Sequence, residues 1–173
     1  MLATLQAYHY TEKIEESGKY KIGPKAFELG SHYMNTTNLF SEARPFLHQL
    51  VERYDETAHL AILDDGKVMY LVNEEPTRSI RLHAPVGEKT FIHSTALGKS
   101  LTAWLSEDEV RSILGKHGMT AKTPHTIVDA DQYIAELEIV RVQGYAVDNG
   151  EGGLGIRCVS VPIRDHTGGS YRI

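Results

Sequence analysis

Helix-like and strand-like stretches follow one another in this chain without the regular strand–helix–strand order that builds a parallel sheet. Apolar side chains at helical spacing predict helices over residues 24–36 and 41–54. From Thr57 the period becomes strand-like, and Asp64-Asp-Gly66 separates two β-prone runs as a hairpin turn. The pattern therefore predicts an α+β domain with an antiparallel sheet flanked by helices.

Capping residues predict the bounds of two later helices. Ser106 and Glu109 form a capping box that begins one of them. Asp129 begins the other, which Gly144 ends. Pro45 is expected close enough to the start of its helix to be tolerated. Three further strands are predicted over residues 79–84, 145–148 and 157–163.

The segment His93-Ser-Thr-Ala-Leu-Gly-Lys-Ser100 places a small, hydroxyl-rich turn immediately before a predicted helix. The free N–H groups and the helix dipole at such a turn favour a small anion. Its end imitates a phosphate-binding P-loop, but that motif needs a glycine where His93 stands. The segment predicts a seat for a carboxylate-sized anion or, taken alone, an ordinary N-capped helix.

A second glycine-rich segment, Gly150-Glu-Gly-Gly-Leu-Gly155, has the glycine spacing of a dinucleotide-binding fingerprint. That fingerprint requires a helix directly after it, whereas the residues from Ile156 onward are β-prone. We therefore expect a loop beside a binding pocket.

The composition is typical of a soluble globular chain. Of 173 residues, 41% are hydrophobic and 24% are charged, and no apolar run approaches the roughly 18 residues of a membrane span. The opening residues lack the pattern of a signal peptide, so a cytoplasmic protein without a membrane partner is expected. Residues 1–25 hold four Lys against three Glu, whereas the remainder carries a net charge of about −6. Any DNA contact is therefore expected near the N-terminus.

Residues that support metal or catalytic chemistry are sparse. The nine histidines include no i, i+4 pair, so neither a metal nor a cofactor is expected. Cys158 is the single cysteine, which excludes an internal disulfide. It is predicted to be a small core residue or, with His93, a thiol–imidazole pair, although nothing nearby in the sequence activates the thiol.

Six short motifs span most of the chain. They are Tyr20-Lys-Ile-Gly-Pro-Lys25, Glu28-Leu-Gly30, Ala43-Arg-Pro45, His93-Ser-Thr-Ala-Leu-Gly-Lys99, Gly144-Tyr-Ala-Val-Asp148 and Gly155-Ile-Arg-Cys-Val159. In order and approximate spacing they resemble those of IclR-type bacterial transcription regulators. That family joins an N-terminal winged helix-turn-helix to an effector-binding domain of GAF-like α+β architecture.

The resemblance implies three parts. Residues 1–23 would be a remnant of the winged helix-turn-helix, made of the end of the recognition helix and the wing hairpin. Residues 24–38 would form a linker helix that helps to pair subunits. Residues 39–173 would be the effector-binding domain, truncated at its C-terminus, where the family continues with another strand and a final helix.

The resemblance also implies a small organic acid effector, whose carboxylate sits on the backbone N–H groups of Ala96 and Leu97. Thr90 departs from the aliphatic residue found at its position in some members, which changes the polarity of the pocket wall. The other residues whose positions match the family's pocket are Asp148, Cys158, Leu82 and Ile156.

The expected function is therefore ligand sensing by a regulator in which the effector alters operator binding. The operator DNA would be bound by the full-length protein, as a homodimer or homotetramer. Two alternatives stay open: a GAF-like enzyme that uses Cys158, and a ligand-free oligomerisation module.

Overall fold

A computed structural model describes residues 1–36, 38–77 and 84–164. Its elements are α1 (Leu2–Ala7), β1 (Thr11–Lys13), β2 (Tyr20–Ile22), α2 (Pro24–Thr36), α3 (Asn38–Tyr54), β3 (Ala58–Asp64), β4 (Lys67–Glu74), β5 (Lys89–Phe91), α4 (Ala96–Thr102), α5 (Glu107–His117), α6 (Ala130–Gln143), β6 (Ala146–Asn149) and β7 (Arg157–Ser160). Every strand pairing described is antiparallel, which confirms the predicted α+β class. Among the helices described, none has the length and apolar composition that crossing a membrane requires.

The N-terminal hairpin forms as predicted, with β1 and β2 paired from Thr11 opposite Ile22 to Lys13 opposite Tyr20. Gly18 in its turn has φ of 67°, a conformation that glycine adopts without strain. Gly23 closes the base of the hairpin by donating its N–H to the carbonyl of Tyr10. That this hairpin is the wing of a DNA-binding head stays a prediction.

Helix α3 begins at Asn38, three residues earlier than the sequence predicted. Pro45 therefore lies in the interior of the helix, and the expectation that it sits near the start was wrong. A proline there lacks the N–H that would bond to the carbonyl one turn earlier, so part of the helical ladder is missing. Packing compensates, because Phe40 and Leu47 bury their side chains against the sheet.

The central sheet has the strand order β3-β4-β5. Asp65 and Gly66 join β3 to β4 with φ values of 49° and 74°, which is the two-residue hairpin turn that the sequence predicted. The register shifts between Leu60 and Ala61, so that β4 holds one extra residue there. In the described part of the chain, the third strand of this sheet is β5. The sequence predicted a strand over residues 79–84, of which residues 79–83 lie outside the described part.

Two cores cover the two faces of this sheet. The outer core lies beneath α3 and contains Phe40, Leu47, Leu60, Ile62, Leu71 and Val72. The inner core lies on the other face and includes Val68, Ile92, Ala96, Val110, Tyr133, Leu137, Val140 and Ala146. Helix α4 is at its centre, because α4 packs against β3 and β4 on one side and against β6 and β7 on the other.

The predicted caps are confirmed. Ser106 and Glu109 make the reciprocal hydrogen bonds of a capping box at the start of α5. Asp129 accepts from the backbone N–H of Gln132 at 2.8 Å, and Gly144 ends α6 with φ of 84°. These local interactions explain why the bounds of both helices could be predicted closely.

Replacement of Gly98 by alanine is expected to destabilise the fold. A Cβ at this position would lie 2.1 Å from the carbonyl oxygen of Ile92, so α4 would have to move away from the turn before it. We expect Gly98→Ala to lower the free energy of unfolding by about 3 kcal/mol, the upper range for overpacking. Urea unfolding measures the effect.

Gly115→Ala is the matched control, because Gly115 lies within helix α5 and its Cβ would meet nothing within 4 Å. Alanine has the higher helix propensity, so this variant should be about 0.5–1 kcal/mol more stable than the parent. Equal stability of the two alanine variants would contradict the proposed close packing at Gly98.

Candidate functional site

The start of helix α4 presents backbone donors for which the described part of the chain supplies no acceptor. Thr95, in an extended conformation, accepts from the N–H of Gly98 with its hydroxyl at 3.0 Å and from the N–H of Lys99 with its carbonyl at 3.2 Å. Within the described residues, nothing accepts from the N–H groups of Ala96 or Leu97. Because Ala96 is only 1% exposed, a donor there requires a partner other than bulk water.

A short two-stranded sheet lies beside these donors. Asp148 on β6 pairs directly with Cys158 on β7, so their side chains share one face. Cys158 packs against the inner core, to which Ala96 belongs. The structure thus gathers Ala96, Leu97, Asp148 and Cys158, four of the predicted site residues, around α4 and the β6–β7 sheet.

Asp148 also fixes the glycine-rich segment after β6. Its Oδ1 accepts from the backbone N–H of Glu151 at 2.7 Å and of Gly152 at 3.4 Å. A Cβ on Gly152 would lie 2.8 Å from the carbonyl oxygen of Ser94, so this segment packs closely against the turn before α4. No helix follows it, and β7 begins at Arg157, which agrees with the rejection of a dinucleotide fingerprint.

The remaining predicted pocket residues have different surroundings. Thr90 on β5 pairs with Val68, and its hydroxyl accepts a hydrogen bond from the ammonium of Lys122 at 3.0 Å. Ile156 lines a cavity of about 270 Å³. Its other lining residues are His125, Asn149, Gly150, Leu154, Gly155 and Arg157. Leu82 lies outside the described residues.

Lys99, the lysine of the Gly98-Lys-Ser100 motif, is fully engaged by groups of the protein itself. Its Nζ donates to Glu151 at 2.8 Å, to Glu136 at 3.1 Å and to the carbonyl of Val147 at 2.8 Å, and its side chain is 1% exposed. Burial raises the pKa of Glu151, which the ammonium of Lys99 partly offsets. A lysine so enclosed has no free charge for a phosphate, which supports the rejection of a P-loop. Sequence reasoning missed this network, because its acidic members are 37 and 52 residues from Lys99.

His93 and Cys158 do not form the catalytic pair that the sequence left open. The Nε2 of His93 lies 3.1 Å from the carbonyl oxygen of Thr120, and its Nδ1 has no partner within the described residues. Burial lowers the pKa of His93, so the ring is neutral near pH 7. Burial and then the charge of Asp148 raise the pKa of Cys158 to about 11, which keeps the thiol protonated.

Tyr70 is a further residue of this region that sequence reasoning missed. Burial, with smaller contributions from the charges of Cys158, Glu88 and Asp148, raises its pKa to about 12. Tyr70 lies on β4, so the central sheet contributes a neutral phenol near the Asp148–Cys158 pair. The strand pattern could have indicated it, since Tyr70 lies two residues after the buried Val68 on the same face.

Metal chemistry gains no support from the described side chains. Within residues 1–36, 38–77 and 84–164, no group of three His, Cys, Asp or Glu residues is arranged to hold a metal ion. The candidate site instead combines backbone donors that have no acceptor among the described residues with one carboxylate, one thiol and one phenol.

Comparison with known proteins identifies the family. Residues 31–171 match the family model described as the bacterial transcriptional regulator IclR C-terminal domain. The chain is 34% identical over 166 residues to the HTH-type transcriptional regulator XynR of Escherichia coli K12, covering 96% of this chain and 66% of that protein. It therefore belongs to the IclR family of bacterial transcriptional regulators, and spans just under two thirds of the length of XynR.

Solved structures agree in fold. The IclR protein of Thermotoga maritima is 34% identical and superimposes with a TM-score of 0.79, over 98% of this chain and 68% of that one. An IclR homolog of Microbacterium hydrocarbonoxydans, solved in complex with 4-hydroxybenzoate, has a TM-score of 0.81 over 98% of this chain and 70% of its own. Its 21% identity shows a shared fold alone. The fold is that of the IclR effector-binding domain.

The buried ion network predicts a large loss of stability in Lys99→Met. Methionine has a similar length but no charge, so Glu151 and Glu136 would face each other without a cation. Removal of one partner of a buried pair costs about 3–5 kcal/mol, which urea unfolding at pH 7 should detect.

Lys116→Met is the control, because Lys116 pairs with Asp65 at the surface, where both side chains are more than half exposed. The free energy of unfolding should change much less than in Lys99→Met. A similar small change in both variants would mean that the Lys99 network contributes little to stability.

The raised pKa of Cys158 predicts an unreactive thiol. A shift from 9.0 to about 11 reduces the thiolate fraction at pH 8 by about a hundredfold relative to an unperturbed thiol, and burial slows access further. Alkylation by iodoacetamide should therefore be at least about a hundredfold slower than for a cysteine peptide. The urea-unfolded chain is the control and should react at the peptide rate. Fast alkylation of the folded chain near pH 7 would instead favour a nucleophilic role.

Proposed function

We propose that this chain senses a small organic acid for an IclR-family regulator, and that the carboxylate binds the N–H groups of Ala96 and Leu97. The observation that carries the proposal is that these two donors at the start of α4 have no acceptor among residues 1–36, 38–77 and 84–164, and that they lie in the part of the chain that matches the family's C-terminal domain. A carboxylate oxygen is the acceptor that such donors bind best, because charge-assisted hydrogen bonds are stronger than neutral ones.

The surrounding residues suit an acid with a polar or aromatic body. Asp148 and Cys158 are proposed to contact that body from the β6–β7 sheet, and Thr90 from the edge of the central sheet. Leu82 and Ile156 are proposed to complete the wall, as their positions in the family's motifs imply. The carboxylate of Asp148 would repel the carboxylate of an effector that came into contact with it. The site is therefore limited to acids whose own carboxylate lies at the start of α4, away from Asp148.

Regulation would follow from a shift between subunit arrangements. The effector would bind one arrangement better and so change the spacing of DNA-binding heads in the whole protein. The exposed apolar side chains of α2 and α3 support assembly into a dimer or tetramer, since Phe27 is 78% exposed and Phe46 is 66% exposed. Operator binding, the effector and the oligomer are all proposals for the longer protein.

The two alternative functions are less well supported. An enzyme that uses Cys158 would need a thiolate near neutral pH, and burial acts against it. The relatives found are named as regulators, which also favours a role without catalysis. An oligomerisation module would account for the exposed apolar side chains of α2 and α3. It would not explain why the buried N–H of Ala96 has no acceptor among the described residues.

The variant Leu97→Pro tests the carboxylate seat. Proline removes the N–H of the second residue of α4, which has no intrahelical partner, while retaining an apolar side chain. Loss of one charge-assisted hydrogen bond, worth roughly 1.5–3 kcal/mol, should weaken binding of a small carboxylic acid by roughly ten- to a hundredfold. Titration calorimetry measures the affinity.

Leu97→Ala is the matched control, because it shortens the side chain but keeps the N–H. Melting curves of both variants establish that each is folded, since proline also constrains Ala96 before it. If the two folded variants bind the acid equally well, the backbone-donor model is wrong.

A further inference from the structure

Three polar side chains, His59, Tyr70 and Asn73, occupy the inner face of the central sheet. Strand pairing places His59 opposite Asn73 and Tyr70 opposite Ala61. Strict alternation would send Tyr70 and Asn73 to opposite faces, but the extra residue in β4 restores Asn73 to the face of Tyr70. The rings of His59 and Tyr70 meet edge to face, with centroids 5.2 Å apart. We call these three residues the sheet patch.

The sheet patch lies on the side of the proposed effector site. Ala61, opposite Tyr70, packs against the inner core that contains Ala96. Tyr70 is close enough to Cys158 and Asp148 for their charges to raise its pKa. The sheet patch therefore belongs to the same region as the donors of α4 and forms the part of it that the central sheet contributes.

Hydrogen-bonding capacity in the patch is unused. Both ring nitrogens of His59 are buried without a partner among the described residues, and so is Oδ1 of Asn73. The amide nitrogen of Asn73 donates to Glu75 at 3.1 Å, which leaves the oxygen as the acceptor. Burial lowers the pKa of His59, so its ring is neutral and offers one donor and one acceptor. Buried polar atoms are nearly always paired in proteins, so these three atoms, which lie on the side of the proposed effector site, are candidates for contacts with a ligand.

We propose that His59 and Asn73 bind a hydroxyl group of the effector and so select hydroxylated organic acids. This rests on the proposed function, in which the carboxylate sits on α4. A hydroxyl can accept from the N–H of His59 and donate to Oδ1 of Asn73, with the ring of Tyr70 beside it. A keto oxygen would leave Asn73 unpaired. A second carboxylate would face that oxygen and the nearby Glu75, so dicarboxylates are disfavoured.

Calorimetry with matched acids tests the selection. The probes are 4-hydroxybenzoate against benzoate, and 4-hydroxybutanoate against butanoate, each titrated into the 173-residue chain. At least one hydroxylated acid should bind about tenfold or more tightly than its parent, as expected when a site's polar atoms are otherwise unpaired. In His59→Phe and Asn73→Leu this ratio should fall below about threefold, while affinity for the parent acid changes little. His59→Gln keeps a donor and an acceptor and should restore part of the ratio.

The outcomes separate the two proposals. An unchanged ratio in both variants, or equal affinities for both members of each pair in the parent chain, overturns the inference and leaves the carboxylate seat standing. Absence of binding by all four acids overturns both. Melting curves without ligand supply a further check. Because His59→Phe replaces two unpartnered ring nitrogens with apolar atoms, this variant should melt at or above the parent temperature, and a clear drop would show that the ring of His59 is satisfied within the protein.

Discussion

The buried ammonium of Lys99 connects the segments on which the candidate site depends. From α4 it reaches Glu136 on α6, the carbonyl of Val147 on β6, and Glu151 in the segment after β6. Glu151 is in turn held through its backbone N–H by Asp148. A buried charge of this kind is costly unless it is paired, so the close approach of these elements to α4 keeps the ammonium of Lys99 paired. The positions of α4 and of the Asp148–Cys158 pair follow from that constraint.

Much of the fold could be predicted, because its local determinants are strong. Gly144 as a helix end and Asp64-Asp-Gly66 as a hairpin turn depend on a few adjacent residues, and the structure agrees with both. The start of α3 was predicted three residues too late, because the helical spacing of apolar residues was followed only from Ser41 onward, whereas the helix begins at Asn38 and buries Phe40. Tertiary contacts overrode the local signal there.

The site was predictable only in part. The turn before α4 has a sequence signature, and in the structure it leads into a helix that Thr95 caps, with two N–H groups that have no partner among the described residues. The surroundings of those donors depend on contacts between distant residues, which no spacing reveals. In the sequence, Lys99 was considered only as part of a segment that resembles the end of a P-loop. Its partners, Glu136 and Glu151, lie far along the chain, so the network could not be predicted. Tyr70 and Asn73 share a face only because one residue is inserted in β4, and a bulge has no reliable sequence signal.

Some polar atoms of the inner core are paired with one another, and others have no partner among the described residues. Two pairs of hydroxyls in that core satisfy each other: those of Thr102 and Tyr133 lie 2.9 Å apart, and those of Ser100 and Ser160 lie 2.6 Å apart. Around α4 and the sheet patch, the N–H of Ala96, the ring of His59 and the oxygen of Asn73 have no such partners within the described residues. A sequence selected for stability alone would pair these atoms or replace them with apolar groups. Their retention on one side of the sheet is what a site that gains its partners from a ligand requires.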